Sequence, residues 1–285
     1  MSNPTVTGTD MSPAATGTTA ATSATSAGDL ILSARDLAKS YGKTAALRGV
    51  SVDIRRGEVL AIMGPSGSGK STLLHALAGI ELPDSGTVTY FGPTPVDSRI
   101  APADRRGAPD SSPARQLTPQ RGAPAPETHP RELTALSDND RTRLRREDFG
   151  FVFQFSQLVP ELTALDNIAV PLLLGGTKKR AAYATAYRWL ERVGLADHAK
   201  SLPGEMSGGE AQRIAIARAL SPHPSILFAD EPTGSLDSLN SEYVMSGLVQ
   251  LAREHAMTVV LVTHEPTIAA YADREIIVRD GILEA

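Results

Sequence analysis

The stretch GPSGSGKST, Gly64 to Thr72, sets glycines ahead of a lysine and two hydroxyl side chains at the spacing G-x-x-x-x-G-K-[ST]. Residues without a Cβ let backbone N–H groups close around an anion, and a lysine after the last glycine brings a positive charge to it. The pattern reads as a phosphate cradle made by Gly64, Pro65, Ser66, Gly67, Ser68 and Gly69. Lys70 would reach the β- and γ-phosphates of a nucleotide, the Ser71 hydroxyl would ligate Mg²⁺, and Thr72 closes the loop.

A second candidate is ILFADE, Ile226 to Glu231, where an apolar run ends in two adjacent carboxylates. At the carboxyl end of a buried strand, Asp230 would hold Mg²⁺ directly or through water. Glu231, one residue further on, would polarise an attacking water as general base. Taken alone, the pair also fits a solvated strand exit; the phosphate loop upstream favours the catalytic reading. A third stretch, MSGGE from Met206 to Glu210, opens a regular helix, AQRIAIARAL. Ser207 there suits an ordinary helix cap, and Ser207, Gly208 and Gly209 equally suit a second phosphate-binding helix start.

These residues need strands and helices to carry them. VLAIM precedes the phosphate loop as a strand and SGKSTLLHALAGI continues from it as a helix, the context that the loop pattern requires. LILSARDLAKSY alternates like a strand, and ALRGVSVDIRRGEVLAIMG reads as two strands broken at Arg56-Gly57. FGFVFQ, SILFAD and TVVLVT read as strands. Lys178 to Gly194 is helical with Gly194 as its C-cap, a further helix runs from MSGGE to near Ser221, and another lies around Tyr243 to Glu254. EIIVRDGILEA closes as a hairpin on an Asp-Gly turn. Apolar strands alternating with helices imply an α/β fold with a mainly parallel sheet.

The 285 residues, 41% of them apolar, allow one large domain or two modest ones. A net charge of −4 gives no basic field for nucleic acid, and the absence of cysteine rules out disulfides and zinc-thiolate sites. No apolar run approaches the roughly 20 residues of a membrane helix, and the N-terminus has neither a basic n-region nor an apolar h-region. The expectation is a cytoplasmic chain that meets membranes only through a partner. Residues 1–28 are almost all Ser, Thr, Ala and Gly and read as a disordered tail; 29–285 form the working domain. Within it, residues 93–130 are Pro-rich and read as a disordered insertion, either a plain solvated linker or a docking loop.

The ordered series of phosphate loop, FVFQ, SGGE, DE, SLD and LVTHE resembles the ATP-binding cassette (ABC) ATPase family, over roughly Leu30 to Ala285 apart from the insertion. That resemblance implies a P-loop NTPase of ABC type: a mainly parallel core sheet, an antiparallel β subdomain and a small helical subdomain at about 155–221. It implies an enzyme that hydrolyses ATP with Mg²⁺ as cofactor. It carries further roles onto matching residues. Tyr41 in KSYG would stack on adenine; from the residues alone it is a strand-edge aromatic. Gln154 in FVFQ would approach Mg²⁺ and the attacking water. His264 would contact the γ-phosphate, although a lone histidine is more often structural. Asp237 in GSLD would contact an opposite subunit. Met206 and Glu210 stand where the family pattern has Leu and Gln.

In the family, the phosphate loop and the SGGE helix of one chain serve different nucleotides. The resemblance therefore implies a C2 homodimer in which Ser207, Gly208, Gly209 and Glu210 complete the partner's site in trans. LVPELTALDNI followed by Pro171 is similar to the subfamily of macrolide exporters, lipoprotein-release ATPases, haem exporters and the cell-division ATPase. This implies an integral membrane permease as partner, no nucleic acid, and a place on the cytoplasmic face of the cell membrane. A non-transporting mechanical role shares every one of these residues. A translation or repair role would bring a second cassette or a coiled-coil insertion, and neither is present in the sequence.

Overall fold

The computed structural model describes residues 30–92 and 130–284. The tail at 1–28 and the insertion up to residue 129 lie outside the described residues. Two sheets and a helical layer build the fold. The first sheet is antiparallel, with strands β1 (Leu30–Tyr41), β2 (Thr44–Arg55), β4 (Ser85–Tyr90) and β5 (Arg131–Glu132) in the order β2-β1-β4-β5. The second has six strands in the order β10-β9-β3-β8-β7-β6. They are β3 (Val59–Met63), β6 (Phe149–Phe153), β7 (Ile226–Asp230), β8 (Thr258–Val262), β9 (Arg274–Arg279) and β10 (Ile282–Glu284). Five of these run parallel, and β10 pairs antiparallel with β9 at the edge.

Helix α1 (Lys70–Leu77) follows β3 and lies between the two sheets, touching β1, β2, β7 and β8. Leu73, Leu74, Ala76 and Leu77 are all buried, because both flanks of this short helix are covered. On the other face of the parallel sheet sit α3 (Ala164–Leu174), α4 (Lys179–Arg192), α5 (Gly208–Leu220) and α6 (Ser238–Glu254). Alternate residues of β7 and β8 therefore enter different cores. Ile226, Phe228, Val260 and Val262 face α1 and the antiparallel sheet; Leu227, Ala229, Val259 and Leu261 face the helices. Burial on both faces is why these strands read as continuous apolar runs. Tyr90, Phe149 and Phe228 tie the sheets together, edge to face at 5.1 and 5.2 Å.

Several boundaries differ from the sequence expectation for local reasons. Helix α6 starts at Ser238, five residues before Tyr243, because the Asp237 carboxylate caps it by accepting from Asn240 N–H. Gly194 sits one position past the cap of α4 with φ +69°, the left-handed residue that ends the helix. Helix α2 (Asp138–Asp148), capped by Ser137, was not foreseen at all. The terminal hairpin turns through Asp280 and Gly281 at φ +49° and +79°, as the Asp-Gly pair demands. A short α7 (Pro266–Ala269) follows β8. No helix among the described residues is long and apolar enough to cross a membrane.

Candidate active site

Sheet register assembles the site. Phe153, Asp230, Val262 and Ile62 lie side by side across β6, β7, β8 and β3, all running the same way. The residues just beyond this row are Gln154, Glu231, Thr263 with His264, and Met63 with Gly64. Four segments far apart in the chain thus leave the sheet on one edge, where open α/β sheets offer a crevice. A cleft of about 660 Å³ opens there, lined by Met63, Gly64, Pro65, Ser66, Lys70, Glu231, His264 and Ile277.

The phosphate loop is a close-fitted backbone turn. A Cβ on Gly64 would stand 2.0 Å from the Val278 carbonyl oxygen, and one on Gly69 would stand 2.3 Å from that of Ala46. Helix α1 begins with no side-chain cap and no acidic residue in its first turn, so its leading N–H groups are left for an anion. The Ser68 hydroxyl is buried and has no hydrogen-bond partner among the described residues. Lys70, also buried, donates from Nζ to the Pro65 carbonyl at 2.9 Å, folded over its own loop. These features fit a nucleotide polyphosphate. The Thr72 hydroxyl lies against Tyr41, whose ring is half exposed and whose hydroxyl donates to Glu81; burial and that carboxylate raise the phenol pKa.

Ser71 Oγ donates to Asp230 Oδ1 at 3.0 Å, placing two hard oxygen donors together beside the loop. Among the described residues no three acidic, histidine or cysteine side chains cluster as a metal cage. The Ser71 hydroxyl and Asp230 carboxylate suit Mg²⁺, which takes one or two protein oxygens and completes its shell from phosphates and water. Burial raises the Asp230 carboxyl above the usual range and neighbouring Glu231 adds to this; Ser71, His75 and Lys70 oppose it. His75 Nε2 stands 4.0 Å from Asp230 Oδ2. This neighbour was not foreseen, because His75 is simply one residue of an apolar helix in the sequence.

Glu231 has φ +48°, in the left-handed region that a residue with a side chain enters at a cost. Its N–H donates to Val262 O and its carbonyl accepts from Gly234 N–H, so a tight turn fixes the carboxylate. His264 Nδ1 is 3.2 Å from Glu231 Oε1. Gly234 lies between the Gln154 carboxamide and the Glu231 carboxylate: a Cβ there would meet Gln154 Nε2 at 3.0 Å and Glu231 Oε2 at 3.3 Å. Gln154 is held through its carbonyl, which accepts from Ser235 Oγ at 2.9 Å.

The SGGE residues do not join this cleft. Ser207 caps α5 in a reciprocal box, its Oγ accepting from Glu210 N–H while Glu210 Oε2 accepts from Ser207 N–H at 2.8 Å. Gly208 packs near Leu236 and Gly209 near Asn240, so this helix start adjoins the Asp237 turn rather than the phosphate loop. Further along α5, Gln212 donates to the carbonyls of Phe153 and Pro232, and Arg218 donates to those of Ser156 and Gln157 after β6. Neither carries a motif that would have flagged it.

Comparison with known proteins agrees with this geometry. Residues 47–234 match the family model described as ABC transporter. The chain belongs to the ABC transporter family. A "Lipoprotein-releasing system ATP-binding protein LolD 2" from Caulobacter vibrioides is 39% identical over 260 residues, covering 90% of this chain and 97% of that protein. LolD of Porphyromonas gingivalis is 36% identical over 254 residues, covering 89% and 99%. Among solved structures, a dimeric ATP-binding cassette in a post-hydrolysis state bound to ADP and Pi has 32% identity and a TM-score of 0.69, over 90% of this chain and 97% of that one. A dimeric bacterial ABC transporter cassette gives 33% and 0.70. This ABC ATPase therefore binds ATP and hydrolyses it to ADP and phosphate, with the cassette fold of α/β core, antiparallel sheet and helices.

Proposed function

We propose that this chain is the ATP-hydrolysing subunit of a lipoprotein-extruding complex, working as a homodimer on a separate membrane permease at the cytoplasmic face. The observation that carries this reading is the near full-length match to two proteins named for lipoprotein release, 39% and 36% identical. Gly64 to Thr72 cradle the phosphates, with Tyr41 against adenine. Lys70 neutralises the β- and γ-phosphates, while Ser71 and Asp230, with Gln154, hold Mg²⁺. Glu231 takes a proton from the attacking water, Gln154 orients that water, and His264 contacts the γ-phosphate. The left-handed backbone at Glu231 and its 3.2 Å contact with His264 support this pairing.

Ser207, Gly208, Gly209 and Glu210 act on the partner's nucleotide, and Asp237 lies at the same dimer contact. Support comes from the packing of this helix start against Leu236 and Asn240 rather than the phosphate loop, and from the dimeric cassettes among structural relatives. The helices from about 155 to 221 form the lobe that receives the permease. Residues 29–285 are one ATPase domain. The test is purification of the tagged chain from membranes with its natural neighbours. Co-purification of a permease that raises ATP turnover, and release of lipoprotein from reconstituted vesicles, are expected. A permease that stimulates hydrolysis without moving lipid-modified protein would support the mechanical role instead.

A further inference from the structure

We propose that Gln212 is a positioning residue for hydrolysis: its carboxamide locks the segments that carry Gln154 and Glu231 to the SGGE helix. Gln212 is 1% exposed, on the third turn-face residue after Gly209 in α5. Its Nε2 donates to two backbone carbonyls, that of Phe153 at 2.9 Å and that of Pro232 at 2.6 Å. Phe153 immediately precedes Gln154, and Pro232 immediately follows Glu231. One side-chain NH₂ group therefore spans the gap where β6 and β7 end and their chains diverge, with both of its hydrogens used. A second bond between the two exits, from Ser235 Oγ to the Gln154 carbonyl at 2.9 Å, lies at the exposed surface, whereas the Gln212 bridge is buried.

The bridge matters because the reacting groups hang on short, turned segments. Glu231 sits in left-handed backbone, and the Gln154 carboxamide and Glu231 carboxylate both flank Gly234. Shifts of a few tenths of an ångström in either carbonyl would move the general base or the amide relative to the attacking water. A misplacement of about 1 Å can cost a positioned reaction about 10²-fold, so a partial shift also slows it. Neither Phe153 nor Pro232 lines the cleft, so the bridge acts on the groups beside the nucleotide rather than on the phosphate loop that cradles it. The same carboxamide rides on the helix that begins at Ser207, so movement of that helix reaches Gln154 and Glu231 directly.

This inference rests on the reading that Gln154 and Glu231 act on the water. The experiment compares Gln212→Met, which keeps volume but donates nothing, with Gln212→Glu, which donates only when protonated. Each full-length variant is assayed for ATP turnover from pH 6 to 8, for ATP binding by calorimetry and for thermal stability. Gln212→Met is expected to lose about tenfold or more in kcat, with KM and ATP affinity within about twofold of wild type. In Gln212→Glu, an ionised carboxylate facing two carbonyls is repelled, so its rate relative to wild type should climb as pH falls. The Gln212→Met ratio should stay flat over the same range.

A Gln212→Met enzyme with wild-type kcat, or one losing ATP affinity in proportion to rate, overturns the proposal. Should that variant fail to fold, a pH-independent Gln212→Glu ratio overturns it alone. Normal turnover in Glu231→Gln would sink the underlying site assignment, whereas normal turnover in Gln212→Met beside a dead Glu231→Gln sinks only the bridge.

Discussion

Replacing Gly69 by alanine should damage the phosphate loop by an amount the geometry sets. Gly69 has φ +105°, and its added Cβ would fall 2.3 Å from the Ala46 carbonyl oxygen and 3.4 Å from Leu47 Cδ2. The first obstacle is backbone of β2, which cannot rotate aside. Left-handed geometry costs an L-residue about 1–2 kcal/mol, and forcing an atom into a filled space adds about 1–3 kcal/mol. The expected loss is about 2–5 kcal/mol, a large share of the roughly 5–15 kcal/mol that holds a domain folded. Gly67 supplies the control. Its φ is +77°, but a Cβ there meets nothing within 4 Å, so Gly67→Ala should lose only the conformational part, about 1–2 kcal/mol. Urea unfolding at constant m-value measures both. A Gly69→Ala loss no larger than that of Gly67→Ala would refute the close approach of loop and β2.

Further outcomes follow from the same contacts. Ser71→Ala and Asp230→Asn should each raise the Mg²⁺ concentration needed for half-maximal hydrolysis by about tenfold or more, read from Mg²⁺ titrations at fixed ATP. Ser207→Ala should lower stability by about 1 kcal/mol through loss of the cap, leave ATP binding by the monomer unchanged and reduce hydrolysis at least about tenfold. His223 is held below the ordinary histidine range by burial, with His255, Arg192 and Arg188 adding like charge. Its neutral form is the stable one, so the stability it carries is intact above the unfolded value near 6.5 and lost as pH falls below it. His223→Asn tolerates the φ of +56° there and should flatten the fall in stability between pH 7.5 and 5.5, measured by urea unfolding.

Much of the site was legible because its chemistry is local. Strand, glycine loop and helix follow one another from Val59 to Leu77, and ILFAD runs straight into Glu231. The terminal hairpin was equally plain from Asp280-Gly281. Helix α2 escaped notice because DNDRTRLRRED buries only Arg141 and Leu144, so no apolar stripe marks it; its signal was the cap at Ser137 with Asp140 three residues on. The early start of α6 was hidden in a stretch read only as a contact loop. His75 beside Asp230 and Gln212 beneath the strand exits could not be read at all. Their meaning depends on which strands are neighbours, and register of that kind is set by packing across the whole sheet.

The central claim is that two chains share two nucleotide sites with Glu231 as the base in each. It is tested most directly by Glu231→Gln mixed with ATP and Mg²⁺, followed by hydrolysis and size-exclusion chromatography. The account predicts turnover reduced about 10²-fold or more and an ATP-dependent dimer that Ser207→Phe on the same chain abolishes. Wild-type turnover by Glu231→Gln, or a dimer indifferent to ATP and to Ser207, would contradict it.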